Sequence, residues 1–160
     1  MSYDVIDVCR HVINYSNEHD YGVSNLKLQK LLYLVQAYFL ISKKEHNPCF
    51  DEKIEAWDFG PVIPKAYREY KQYGSGDIPD IKSYILFDED DIWNSKRVEF
   101  TDNVIKDEDK VLIDRVIDKF KDYSATDLVS LTYSQSPWIN AYATHQINEI
   151  PLDAIREYFN

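Results

Sequence analysis

The hydrophobic pattern is strongest over residues 24–42, where the sequence reads SNLKLQKLLYLVQAYFLIS. Between Leu31 and Ile41 the only strongly polar side chain is Gln36, so apolar positions run most of the way round a helix instead of along one stripe. At 1.5 Å per residue this helix would be roughly 27 Å long, enough to cross a small domain. The pattern therefore predicts a central helix around which the rest of the chain packs.

The start of this helix is predicted to be polar. Ser24 is suited to cap the first free backbone N–H groups, and Lys27, Gln29 and Lys30 are expected to keep the first turns in water. The unbroken apolar part is shorter than the ~20 residues that a bilayer requires. The stretch is thus predicted to be a core helix and not a membrane span.

Other patterns predict further helices on both sides of the central one. The signals are apolar residues spaced by three and four, prolines at helix starts, and a capping box at Ser124. They predict six helices: about 3–15, from Pro64 to Gly74, from Asp107 past Phe120, from Ser124, from Pro137, and from Pro151 onward.

Strand signals are short. Alternation over residues 54–59 favours an extended segment, which Gly60–Pro61 is expected to end. Residues 84–87 and 98–100 predict two antiparallel strands joined by the acidic run Asp88–Asp91. The predicted fold class is mainly α (α+β): a single compact helical domain over residues 1–160, built around a central helix, with a small antiparallel β element.

Charge divides the chain into two halves. The net charge is −10, and residues 77–160 carry eighteen acidic and nine basic side chains, against ten and nine in residues 1–76. An acidic second half repels nucleic acid phosphates and attracts a basic protein.

The two cysteines demand no disulfide, and the acidic N-terminal segment does not resemble a signal peptide, so a cytoplasmic protein is expected.

Motifs for catalysis are mostly absent. The sequence has no glycine-rich phosphate-binding motif, and its four histidines do not fall at zinc-site spacing, so no cofactor or metal is predicted. The many carboxylates are interpreted as a solvated surface in preference to a two-acid or Asp–His site. The tyrosines at 67, 70 and 73, beside Arg68 and Lys71, are interpreted as core packing in preference to a base-stacking surface.

A set of motifs in a fixed order points to one family. LKLQKLLY over residues 26–33 is followed by AWDFGPV over 56–62, by Pro64 and Tyr67, and by a late Pro137–Trp138. In this combination the chain resembles the Panacea antitoxin domain, a family that includes SocA-like and phage-associated GepA-like proteins. The resemblance covers about residues 24–142.

The resemblance implies a mostly helical domain, a prophage or toxin–antitoxin gene context, and neutralisation of a cognate toxin by protein–protein contact. Two alternatives remain open: an adaptor that delivers the toxin to a protease, and a metal-dependent hydrolase that uses carboxylates with His145 or His11. The chain departs from the family at Tyr133, because relatives often have a Thr–His pair where this chain has Thr132–Tyr133.

The candidate residues fall into two groups. Those that the family motifs share are expected to hold the scaffold: Leu28, Leu31, Leu32, Trp57, Gly60, Pro61 and Trp138. Those expected to meet a basic protein toxin are the acidic run Asp88, Glu89, Asp90 and Asp91, which would steer association, with Tyr67, Tyr70 and Lys71 nearby.

Overall fold

The computed structural model describes residues 2–42, 47–143 and 148–160. These residues form seven α-helices and two separate two-stranded antiparallel sheets. In chain order the elements are α1 (Val5–Glu18), α2 (Asn25–Ser42), β1 (Glu55–Trp57), β2 (Gly60–Val62), α3 (Pro64–Tyr70), β3 (Ser83–Leu86), β4 (Lys96–Glu99), α4 (Asp107–Lys119), α5 (Ala125–Tyr133), α6 (Ser136–Ala143) and α7 (Leu152–Phe159). The predicted fold class is confirmed. Within the described ranges, no helix is long and apolar enough to cross a membrane.

Helix α2 is the centre of the structure, as predicted. It contacts α1, α3, α4, α5, α7 and β2. Leu28, Leu31 and Leu32 are fully buried in the core that these elements share. The Ser24 hydroxyl accepts a hydrogen bond from the Lys27 amide at 3.3 Å, which caps the helix.

The prediction that the first turns of α2 stay in water is wrong for Gln29 and Lys30, which are both fully buried. Each makes a hydrogen bond to backbone on the segment that follows β1. The Gln29 Oε1 atom accepts from the Ile63 amide at 3.0 Å, and the Lys30 amine donates to the Pro61 carbonyl at 2.9 Å. Burial is tolerated because these polar groups find partners inside the protein.

Gln36 holds the backbone that precedes β1. Its Oε1 atom accepts from the Cys49 amide at 2.7 Å, and its Nε2 atom donates to the Phe50 carbonyl at 2.8 Å. The one strongly polar residue in the apolar run of α2 is therefore buried, and its side-chain amide bonds one backbone N–H and one backbone carbonyl, as the backbone of a neighbouring strand would.

Strands β1 and β2 form a tight hairpin that was not predicted. Trp57 pairs with Gly60 in the register, so Gly60–Pro61 begins a returning strand instead of ending an extended segment. Gly60 has a φ of +104°, a conformation that favours glycine. A Cβ atom at this position would lie 2.8 Å from Lys30 Cε and 2.9 Å from Thr132 Oγ1.

Strands β3 and β4 form the predicted antiparallel pair, with Tyr84 opposite Val98. The base of this hairpin is fixed to α1. The Asn14 side chain donates to the Ile81 carbonyl at 2.9 Å and accepts from the Ile81 amide at 2.7 Å. The Arg10 guanidinium lies 3.6 Å from the centre of the Tyr84 ring.

The remaining helices follow the predicted signals closely. The capping box of α5 is present, with Ser124 and Asp127 bonding each other's backbone amides at 3.0 and 2.9 Å. Helix α1 ends at Glu18, three residues later than predicted, and Ser16 in its last turn is buried.

Gly60→Ala should destabilise the fold more than Gly74→Ala. Both glycines have positive φ, but only Gly60 has side chains where the new methyl group would lie, and nothing lies within 4 Å of Gly74. The extra crowding should lower the free energy of unfolding by about 1–3 kcal/mol beyond the loss at Gly74. Urea denaturation of the two variants measures this difference, and equal losses would contradict the close packing at Gly60.

Lys30 should make stability rise with pH. Burial lowers the pKa of Lys30 to about 7. An unfolded chain keeps this proton up to about pH 10.4, so between these values the unfolded state binds more protons and loses stability relative to the folded state as pH rises. The free energy of unfolding should increase by up to about 1.4 kcal/mol per pH unit above pH 7.

Lys30→Met should remove this rise, whereas Lys65→Met, which removes an exposed lysine, should keep it. Burial raises the pKa of Cys9, an effect of opposite sign at higher pH that both variants share. The difference between wild type and Lys30→Met in urea denaturation at pH 7, 8 and 9 isolates Lys30. If the free energies of unfolding of wild type and Lys30→Met change with pH in the same way, the Lys30 amine is hydrated in the folded state.

Candidate protein-binding site

Among the described residues, the three most exposed large apolar side chains lie at the end of the β3–β4 hairpin. We call residues 86–94 the hairpin tip. Leu86 is 60 % exposed, Phe87 68 %, Ile92 67 % and Trp93 92 %. Large apolar side chains exposed close together on a protein surface commonly mark a contact with another protein.

Sequence reasoning did not identify this apolar group. Trp93 and Ile92 directly follow the acidic run, and Phe87 directly precedes it. The signal available was their position in a connection between two strands, where large apolar residues have no predicted core to face. That position is informative only if the strands are known to lie at the edge of the protein.

The hairpin tip is ordered by hydrogen bonds from two aspartates. Asp88 Oδ1 accepts from the amides of Asp90 and Asp91 at 3.0 and 3.3 Å. Asp91 accepts from the Trp93 amide at 3.1 Å and from the Asn94 side chain at 2.8 Å. Residues 92–94 form a 3₁₀ turn that Asp91 caps, so the Trp93 backbone is held in place although its side chain is exposed.

The predicted acidic residues therefore divide into two pairs. Asp88, Glu89, Asp90 and Asp91 are all exposed at the tip. Asp88 and Asp91 use carboxylate oxygens to build the loop, whereas the carboxylates of Glu89 and Asp90 take no part in these loop bonds.

A second surface feature is a groove of about 590 Å³ beside the β1–β2 hairpin. Trp57 and Tyr67 meet edge to face there, with ring centres 5.1 Å apart, and Lys71 and the 65 % exposed Phe59 also line it. Its size is typical of pockets for small molecules or single side chains. Two of the predicted partner residues, Tyr67 and Lys71, thus lie on the groove and not at the hairpin tip.

Tyr70 lies in the core and is only 4 % exposed. It is the buried end of α3, and its burial raises the pKa of its hydroxyl. Tyr70 therefore supplies core packing, and its position does not provide the surface contact expected from the sequence.

Trp138 packs against two residues that line the groove, Trp57 and Tyr142. Its indole N–H donates to the Trp57 carbonyl at 3.0 Å, and its ring stacks on Tyr142 with centres 4.6 Å apart. The Tyr133 ring lies 4.4 Å from the Trp138 ring. At the position where relatives often have histidine, this chain therefore uses an aromatic ring as packing for Trp138.

His11 lies in a different cleft, of about 680 Å³, at the junction of α1 and α4. Its Nε2 atom is 2.7 Å from Asp114, and its Nδ1 atom is 3.8 Å from Asp102. Among the described residues, no group of three or more His, Cys, Asp or Glu side chains is arranged to hold a metal ion. His145, the other histidine of the hydrolase alternative, lies outside the described residues.

Comparison with known proteins gives a family match. The family model described as "Antitoxin SocA-like, Panacea domain" matches residues 28–139, from the first turn of α2 to α6. Antitoxin SocA from Caulobacter vibrioides (strain NA1000 / CB15N) is 46 % identical over 55 residues, which are 34 % of this chain and 28 % of that protein. The chain thus matches less than a third of the length of this relative. No solved structure matches the chain.

Asp91→Ala should loosen the hairpin tip without unfolding the domain. The change removes the acceptors that hold the Trp93 amide and the Asn94 side chain, so the NMR order parameter of the Trp93 amide should fall from roughly 0.85 to below about 0.6. The free energy of unfolding should change by less than about 0.5 kcal/mol, because the tip lies outside the core. Glu89→Ala is the matched control and should leave the order parameter unchanged. A rigid tip in Asp91→Ala would show that these bonds do not order the loop.

Proposed function

This chain belongs to the SocA-like Panacea-domain antitoxin family, and on that premise we propose that it neutralises a cognate protein toxin by binding it directly. The observation that carries the proposal is the exposed apolar group at the hairpin tip. Four large apolar side chains that contribute nothing to the core of the free domain are accounted for when a partner covers them.

The location of the tip supports a binding role. The base of the hairpin is fixed to α1 through Asn14 and Arg10, while the tip projects away from the core cluster. A rigid base with an exposed, chemically distinct end is a common arrangement of recognition loops, which carry function on a stable scaffold.

The charge of the chain supports a basic partner. The net charge is −10, and nearly all of the excess lies in residues 77–160, which include the tip. An acidic surface accelerates association with a positively charged protein and disfavours nucleic acid. We infer that the toxin presents a basic surface and that the two proteins meet in the cytoplasm.

The toxin of this chain is not inferred from its relative. The alignment with Antitoxin SocA covers 28 % of that protein, so the relative supports the antitoxin role and leaves the partner open. We propose a toxin that is encoded next to the gene for this chain and that has a basic surface.

Co-expression tests this function. The neighbouring gene product expressed alone should arrest growth, and co-expression of this chain should restore it. The two purified proteins should form a complex that survives size-exclusion chromatography. Toxin concentration should be followed by immunoblot in the same cultures, because direct neutralisation predicts rescue while the amount of toxin stays constant.

Leu31→Asp provides the matched negative control, because a charge in the fully buried centre of α2 should unfold the domain and abolish rescue. Rescue by wild type with no detectable complex, or rescue only through loss of the toxin, would contradict neutralisation by binding. The second outcome would favour the protease adaptor.

A further inference from the structure

We propose that the hairpin tip is the docking element for the toxin, with Trp93 as the apolar anchor and with Glu89 and Asp90 as the charges that attract the partner. The matching surface is an apolar pocket of a basic protein, bordered by lysine or arginine side chains. This inference rests on the proposed function and adds to it the contact surface and the chemistry of the partner.

Trp93 is the anchor because it combines the largest apolar side chain of the tip with the greatest exposure, 92 %. Tryptophan is enriched among the residues that dominate binding energy in protein interfaces. Phe87 and Ile92, each about two-thirds exposed, flank it in the same loop. These exposed apolar side chains and the carboxylates beside them are the two residue classes that protein interfaces place at the core and at the rim.

The tip is ordered before binding. Asp91 holds the Trp93 amide at 3.1 Å, and Asp88 holds the amides of Asp90 and Asp91. The Asp88 amide in turn donates to the Ser95 hydroxyl at 3.2 Å, which closes the loop. A loop that is already in its bound shape loses little conformational entropy on association, so more of the contact energy appears as affinity.

The four acidic residues therefore have different tasks. Asp88 and Asp91 direct carboxylate oxygens into the loop, whereas Glu89 and Asp90 leave theirs available to a partner. Substitution of the whole run would change loop shape and charge together. Substitution of Glu89 and Asp90 alone changes the charge and leaves the loop bonds in place.

Charge decides which occupant fits. Between Leu86 and Asn94 the sequence contains four acidic residues and no basic residue. A symmetric dimer with the tip on its two-fold axis would bring one tip against the other, so like charges would face each other. Anionic membranes and nucleic acid are disfavoured by the same four charges. A basic protein with an apolar pocket complements both properties of the tip.

The anchor is tested by binding kinetics with the purified neighbouring gene product, immobilised for surface plasmon resonance. Trp93→Ala should raise Kd by roughly 30-fold or more, mainly through faster dissociation. The Kd of Trp93→Phe should lie between those of wild type and Trp93→Ala. Tyr158→Ala truncates an aromatic residue that is 45 % exposed on α7 and should bind as wild type. Thermal melting should be unchanged in both Trp93 variants, because Trp93 is exposed, and it should show that Tyr158→Ala, which loses a ring contact to Phe159, is still folded.

The charges are tested by the salt dependence of association. The double variant Glu89→Gln/Asp90→Asn should associate roughly threefold to tenfold more slowly than wild type at low salt. The difference should disappear near 1 M salt, where the Debye length is about 3 Å. The double variant Asp122→Asn/Glu157→Gln removes the same charge from exposed positions on other parts of the surface and should have a smaller effect.

The outcomes separate this inference from the function on which it rests. A wild-type chain that does not bind the neighbouring gene product overturns the proposed function and the docking element with it. Wild-type binding that Trp93→Ala leaves unchanged overturns only the docking element. Loss of binding in Phe59→Ala, with Trp93→Ala unaffected, would place the contact at the groove. A wild-type dimer in sedimentation velocity that Trp93→Ala dissociates would assign the tip to self-association.

Discussion

The structure depends on one constraint: α2 is buried on nearly every side, and the polar side chains that it carries must find partners inside the protein. Gln29, Lys30 and Gln36 do so by bonding the backbone of the segment from Cys49 to Ile63. A buried polar group left unpaired would cost about 1–3 kcal/mol, so these bonds specify where the segment lies as well as holding it there. The central helix thereby dictates the path of the chain around it.

The same constraint explains the family motif around Gly60. The Lys30 amine reaches the Pro61 carbonyl only if the chain passes close above it, and Gly60 allows that approach because it has no side chain. The residues that sequence reasoning assigned to scaffold packing are therefore parts of one arrangement, in which a lysine on the helix and a glycine on the hairpin occupy adjoining space. Trp57 then lines the groove, and the Trp138 indole donates to the Trp57 carbonyl behind it.

The β3–β4 hairpin is stabilised by different interactions from those of the core. The base of the β3–β4 hairpin is fixed to α1, and its tip gains order from local aspartate hydrogen bonds instead of from burial. Such a loop can change its exposed side chains at little cost to stability, because exposed positions away from buried networks tolerate substitution.

The sequence by itself determined the helices, the central position of α2 and the acidic hairpin, because hydrophobic period, proline, glycine and capping residues act through local backbone physics. It also carried the family motifs. Only the tertiary structure decided that Gln29 and Lys30 are buried, that Tyr70 faces the core, and that Trp93 is exposed. Burial depends on which elements pack against each other in the folded protein. The polarity of a side chain indicates only whether it favours water or the core. Lys30 is inside because a carbonyl 31 residues away meets it there, and Trp93 is outside because its hairpin reaches beyond the core.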